Sequence, residues 1–184
     1  MAVLQVARLG NPILRQVTEP IDLKRLGEPD NRIQHLIDDM IATMREQDGV
    51  GLAAPQVSIS LQLVVMESAF NERYPEAPTI PLTVLVNPVI TRYSEKQALG
   101  WEGCLSLNDL RGLVPRSKAV TVEYLDRNGK KSTLEAEGFQ AVVLQHEIDH
   151  LHGKVFLDRM TDLSQLAYLE EFETYFVNQE AVEA

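Results

Sequence analysis

His146 and His150 stand four residues apart with Glu147 between them. On a helix that spacing turns both imidazoles to one face, so they can hold one metal ion while the glutamate reaches a water that the ion activates. The chemistry this allows is metal-dependent hydrolysis. A catalytic centre of that kind takes three protein ligands and keeps one position open, so a third donor is required. One zinc-protease pattern places a glycine and then a third histidine at three-residue steps after the second; Gly153 fits, but the last position is Phe156, which cannot ligate. A glutamate from a following helix, Glu170, Glu171 or Glu173, stays open. Cys104 is preferred, because Gly103 lets the backbone come close and a thiolate is a strong metal ligand. A lone cysteine is otherwise most often a small buried apolar residue.

These residues need a scaffold. Helical periodicity runs from Phe139 to His152, with Gly153 as its stop. Phe139, Val142 and Val143 lie seven, four and three residues before His146 and share roughly its face, so they are expected to wall an apolar pocket that suits an unbranched thioether side chain. An earlier amphipathic helix is expected over 30–47, with Asp30 as N-cap and Asp48-Gly49 as its end. Gly49-Val50-Gly51-Leu52-Ala53-Ala54-Pro55-Gln56 reads as a shaped loop, and residues 61–66 and 82–90 as strands flanking a proline-bearing surface excursion over 70–81. Val120, Val122 and Tyr124 alternate with polar residues before Asp126-Arg127-Asn128-Gly129, which predicts a hairpin returning along 130–136. A last helix is expected over about 161–177, carrying Leu163, Leu166, Leu169, Phe172 and Phe176 near one face. The expectation is an α+β single domain over residues 1–184, with antiparallel or mixed sheets around a central metal-binding helix and helices towards both termini.

Three segments, Gly49 to Gln56, Trp101-Glu102-Gly103-Cys104-Leu105-Ser106 and Gln145 to His150, resemble the signature motifs of peptide deformylases in order and approximate spacing. The similarity continues through Arg8-Leu9-Gly10-Asn11-Pro12-Ile13-Leu14-Arg15 and Gly112-Leu113-Val114-Pro115-Arg116, nearly the whole chain. It implies removal of the formyl group from the N-terminal formylmethionine of newly made polypeptides. By this resemblance Cys104, His146 and His150 hold the metal, Glu147 is general base and acid, and the Leu105 backbone N–H with the Gln56 side-chain amide stabilises the oxyanion. Gln56 could instead tie its loop to the sheet. Val50 and Gly51 match positions whose backbone pairs with the extended substrate. Cys, His, His ligation accepts Fe(II), Zn(II), Ni(II) or Co(II). The resemblance favours Fe(II), and a thiolate beside ferrous iron predicts oxygen sensitivity. Glu102 is expected to be either a supporting carboxylate or an ordinary surface residue. Leu107-Asn108-Asp109-Leu110 lacks the proline that many family members carry soon after the motif serine, which leaves the rim of the site open.

Composition narrows the setting. A net charge of −10 and a pI near 4.8 argue against broad nucleic-acid binding. The one cysteine excludes an internal disulfide, and no run approaches the ~18 apolar residues that a membrane span requires. A cytoplasmic, monomeric or weakly associated enzyme is expected, acting on N-formylmethionyl peptides and nascent chains. From Val155 onward Arg159 faces seven acidic residues, so the basic ribosome-docking helix of some bacterial relatives is not carried over. Two other readings remain: a glutamate-liganded metalloprotease, and a metal-stabilised module that binds methionine-starting termini without turnover.

Overall fold

The computed structural model describes residues 2–27, 31–68 and 78–177. After a single helical turn, α1 (Leu23–Leu26), two long helices and two antiparallel sheets carry the architecture. Strands β1 (Gly51–Ala53), β2 (Leu63–Ser68), β3 (Ile80–Tyr93), β6 (Ala119–Leu125) and β7 (Lys131–Glu137) form one sheet in the order β1-β2-β3-β6-β7. A smaller sheet of β4 (Gln97–Glu102), β5 (Leu110–Ser117) and β8 (Leu166–Tyr168) runs in the order β4-β5-β8.

The run Leu63-Val64-Val65-Met66 is apolar without alternation because helices cover both faces of the sheet. Leu63 and Val65, with Val84 and Val86 of β3, pack on α2 (Arg32–Glu46), which presents Ile33, Ile37, Met40, Ile41 and Met44. Val64 and Met66 point the other way, with Leu85 and Val122, onto Ala141, Leu144, Ile148 and Leu151 of α3 (Gly138–Leu151). A period of two on the strands and of 3.6 on the helices thus places α3 between the large sheet and the small one. A third cluster, Leu107, Val114, Val155 and Phe156 around Cys104, fills the space on the small-sheet side.

The expected hairpin is present: Val120 pairs with Ala136, Val122 with Leu134 and Leu125 with Lys131. In its turn the Asp126 carboxylate accepts from the N–H groups of Asn128 and Lys130, at 2.8 and 2.9 Å. Strands expected over 61–66 and 82–90 are β2 and the longer β3. The N-cap expected at Asp30 and most of the 70–81 excursion lie outside the described residues; Asn31, before α2, is in the left-handed region at φ 52°. Among the described residues no helix is long and apolar enough to cross a membrane.

Two expectations are corrected. Residues 49–56 are not simply a loop: Gly51–Ala53 is a buried strand at the edge of the large sheet, in register with Met66, Val65 and Val64. Their small side chains, which weakened the strand pattern, let α3 approach. Of the helix expected over 161–177 the first half gives only a 3-10 turn, Leu163–Gln165, and the second a short α4 (Leu169–Phe172) continued by a wider turn over Glu173–Val177. Leu166–Tyr168 instead pairs with Leu110, Arg111 and Gly112 of β5, because that edge offers unpaired backbone groups. Phe172 and Phe176 close on Trp101 of β4 with ring centroids 4.8 Å away in each case. Strands β4 and β5 were not anticipated, since glycine, proline and charge interrupt their alternation.

The chain before the first sheet straps the end of α3. Thr18 N–H donates to the Leu151 carbonyl at 2.9 Å and Val17 pairs with His152. Gly153, at φ +69°, stops the helix where a Cβ would stand 2.7 Å from the Arg15 carbonyl carbon and oxygen. Gly153→Ala is therefore expected to cost at least about 1–3 kcal/mol from backbone strain alone. Urea unfolding checks it: a loss below ~0.5 kcal/mol would mean that strap and helix end part freely.

Candidate metal centre

Helix α3 is buried from Val143 to Leu151 without a break, so the polar residues on it must find partners inside the protein. His146 and His150 lie one turn apart on the side that faces the small sheet. Cys104 ends the β4 segment in extended conformation (φ −146°, ψ 139°) at the mouth of a 3-10 turn, Leu105–Leu107. One donor atom from each of Cys104, His146 and His150 lies within 4.8 Å of the others, and Cys104 Sγ is 3.3 Å from His150 Nε2. Metal–sulfur bonds of about 2.3 Å and metal–nitrogen bonds of about 2.0–2.1 Å separate tetrahedral ligands by roughly 3.5 Å. The three donors fit one ion.

Electrostatics agree with that fit. Burial pushes the Cys104 thiol up, but the charge and hydrogen bonds of His150 and His146 outweigh it and hold the thiol well below its ordinary range. Burial likewise opposes a charge on His146, and hydrogen bonds to Cys104 and Glu102 more than offset it. The pocket favours positive charge between thiolate and imidazoles, which a divalent cation supplies. Glu170, Glu171 and Glu173, the rival third ligands, are exposed on and beside α4 and take no part in the cluster.

Glu102 is not a surface residue. It is buried, its Oε2 stands 2.8 Å from His146 Nδ1, and Arg116 grips both of its oxygens, Nε on Oε1 at 2.7 Å and Nη2 on Oε2 at 3.1 Å. Burial raises the Glu102 carboxyl, yet the hydrogen bonds from His146 and Arg116 prevail and keep it ionised below its ordinary range. A carboxylate there fixes the proton on Nδ1 and leaves Nε2 to ligate. Arg116 continues through Nη1 to Asp149 at 2.6 Å, and Arg159 Nε holds Asp149 from the far side at 2.9 Å. Sequence reading did not assign Arg116, Asp149 or Arg159 a role; Asp149 beside His150 in the same motif was the available signal.

Glu147 is enclosed. A Cβ on Gly51 would meet its Oε1 at 2.5 Å, so the edge strand and the glutamate pack directly. Its other oxygen, Oε2, is buried without a hydrogen-bond partner among the described residues, and burial raises its carboxyl above the ordinary range. A carboxyl in that state can accept and return a proton.

Gln56 accepts from the Ala53 N–H at 2.8 Å through Oε1 and turns its amide nitrogen towards Cys104 Sγ and Ser106 Oγ, at 3.5 and 3.4 Å. It therefore ties its loop and aims a donor at the centre together. Leu105 opens the 3-10 turn, where a backbone N–H has no acceptor inside the turn; its side chain packs beneath Gly49, whose Cβ would lie 2.8 Å from Cδ1. The Val50 carbonyl accepts from Glu67 N–H at 3.1 Å, and Gly51 lies opposite Met66.

The three expected pocket residues separate. Val143 is buried in the core between α3 and the large sheet, and Phe139 is 38% exposed. Val142 lines a cavity of about 430 Å³ with Gly100, Glu102, Val114 and Arg116. His35 and His152, both exposed, stay outside the centre, with His152 Nδ1 2.9 Å from the Ile148 carbonyl.

With this geometry in hand, a sequence model of the polypeptide deformylase family matches residues 3–166. Peptide deformylase 1 of Bordetella pertussis is 46% identical over 165 residues, covering 90% of this chain and 92% of that protein. Peptide deformylase 2 of Pseudomonas putida is 44% identical over 168 residues, covering 91% and 93%. Among solved structures, a Met-Ala-Ser-bound class I type b peptide deformylase from Acinetobacter baumannii is similar at a TM-score of 0.82 and 43% identity, over 86% of this chain and 99% of that one.

Two substitutions test the geometry. Glu102→Gln removes the charge that orients His146 and is expected to weaken metal binding about 10–100-fold, read by competition with a chelator; unchanged affinity would refute the orienting role. Gly51→Ala drives a methyl against Glu147 and is expected to lower turnover on the order of 10²-fold with metal content unchanged, read by metal analysis beside kinetics.

Proposed function

The chain belongs to the polypeptide deformylase family, and from that premise we propose that it hydrolyses the formyl amide at the N-terminal formylmethionine of nascent polypeptides, with Cys104, His146 and His150 holding a divalent ion and Glu147 moving the proton. The observation that carries this reading is the convergence of those three donors beside a buried carboxylate whose second oxygen has no hydrogen-bond partner among the described residues. What the ion supplies when bound is Lewis acidity towards a water and the formyl oxygen. Glu147 takes the water's proton as the new C–O bond forms, then returns a proton to the amine as the C–N bond breaks, so formate and a free amino terminus result. Gln56 Nε2 and the Leu105 N–H donate to the oxygen on which charge develops, each worth about 10²–10³ in rate.

Substrate placement follows from the fold. β1 is the edge strand of its sheet, so an extended peptide can add along Val50 and Gly51 as one more strand. The methionine side chain then enters the cavity lined by Val142, Gly100 and Val114, with Phe139 at its exposed margin and Val143 backing the helix from the core. Unbranched and polarisable, methionine fills such a space with little strain. The Met-Ala-Ser bound by the Acinetobacter baumannii relative supports a peptide of this chemistry. Fe(II) is the ion we favour, with Zn(II), Ni(II) or Co(II) able to occupy the same donors. A cytoplasmic location accords with nascent chains as substrates, and the acidic segment after Val155 gives no basic surface for ribosome docking.

Anaerobically purified protein, assayed for formate release from formyl-Met-Ala-Ser beside the acetylated peptide, tests the reading. Formate is expected from the first only. Glu147→Ala is expected to keep its metal and lose about 10²–10⁴ of the rate, whereas Cys104→Ala loses the metal. Full metal occupancy with no formate would overturn the proposal.

A further inference from the structure

Four buried or half-buried charges run in line from the protein surface to a metal ligand. Arg159, whose side chain is 39% exposed, reaches Asp149 with Nε at 2.9 Å on Oδ2 and with Nη2 on Oδ1. Asp149 meets Arg116 at 2.6 Å, Arg116 holds both Glu102 oxygens, and Glu102 holds His146. Two carboxylates and two guanidiniums balance. Without Arg159, Arg116 alone would serve two buried carboxylates, and an uncompensated buried charge is strongly unfavourable. The guanidinium would then be drawn away from Glu102, which needs both of its contacts to keep the His146 ring aimed.

Arg159 is held in place for this task. It closes a single 3-10 turn, Phe156–Arg159. The turn's first residue, Phe156, is buried and stacks on the His146 ring, centroids 6.4 Å apart at 23°. Asp158 accepts from the Val155 N–H at 2.8 Å and pairs with Arg15. Gly112 of β5 admits the turn, since a Cβ there would stand 2.7 Å from the Phe156 ring. One turn therefore supports the ligand histidine twice, directly through Phe156 and at a distance through Arg159.

We propose that Arg159 is a positioning residue of the metal centre: by holding Asp149 from outside it leaves Arg116 to grip Glu102, which keeps His146 on the ion and slows the ion's loss. This rests on the metal site proposed above. An ordinary surface ion pair, by contrast, would contribute little and nothing specific to the metal.

The test is release of Ni(II) from the loaded full-length protein to a chromogenic chelator, which needs no turnover. Arg159→Gln is expected to release Ni(II) roughly 10-fold faster than the parent. Arg127→Gln, which breaks an ion pair with Asp38 of similar exposure, 38% on each side, is expected to release at the parent rate. If Arg159 acts through the Asp149 charge, adding Arg159→Gln to Asp149→Asn accelerates release no further. Release from Arg159→Gln within twofold of the parent, or the same acceleration in the Asp149→Asn background, overturns the proposal. Should Arg159→Gln not fold, Arg159→Met carries the test, because methionine keeps the apolar stem without the charge: faster release supports the role and the parent rate overturns it. A parent protein that binds no Ni(II) at Cys104, His146 and His150 would instead sink the functional reading.

Discussion

Helix α3 carries two imidazoles and two carboxylates through a stretch that is buried from Val143 to Leu151, and every other feature of the site answers to the cost of that burial. An ionised group taken out of water must be paired or neutralised. Asp149 is paired by Arg116 and Arg159, and His146 by Glu102 and Cys104. Only Glu147 Oε2 and His150 Nδ1 are left without hydrogen-bond partners among the described residues. The unpartnered oxygen belongs to the residue proposed to move the proton, a role that calls for a free acceptor.

The same economy explains why the motifs are rich in small residues. Gly51 and Gly49 lie where a Cβ would collide with Glu147 and with Leu105. Larger residues would strengthen the strand, but they would hold the edge strand away from Glu147 of α3 and from Leu105. Strand propensity is therefore given up locally for proximity, and the buried apolar run of β2 on the other side supplies the stability that β1 lacks. The strand order matters here: β1 is last in line, so its outer edge pairs with no other strand among the described residues.

How much of this was legible beforehand depended on range. The helix of His146 and His150, the hairpin around Asp126 and Gly129, and the amphipathic α2 rest on spacings of two to four residues, which periodicity captures. Cys104 could be singled out because its neighbours are unusual and the chain has no other thiol. The pairing of Arg116 with Glu102 and Asp149 spans 14 and 33 residues and leaves no local trace. Strands β4, β5 and β8 stabilise one another across similar distances, which is why Leu166–Tyr168, apolar at helical spacing, forms a strand once the edge of β5 is beside it. Val143 and Phe139 illustrate the same limit: a helical wheel places them near His146, whereas the crossing of α3 over the sheet decides which of the three pocket candidates reaches the cavity.

Buried ion pairs seldom make a fold more stable than well-packed apolar residues of the same volume would. The chain of charges from Arg159 to His146 is therefore poorly explained as a stabilising device. Its value lies in direction. An apolar core around His146 would leave the ring free to choose its tautomer and its tilt, while a carboxylate fixed at two oxygens by one guanidinium allows a single arrangement. A thiolate and two imidazoles that converge on one point favour a positive charge between them, which a bound divalent ion would supply. Metal capture by these donors would then be linked to folding, because the ion would offset the cost of burying the polar network.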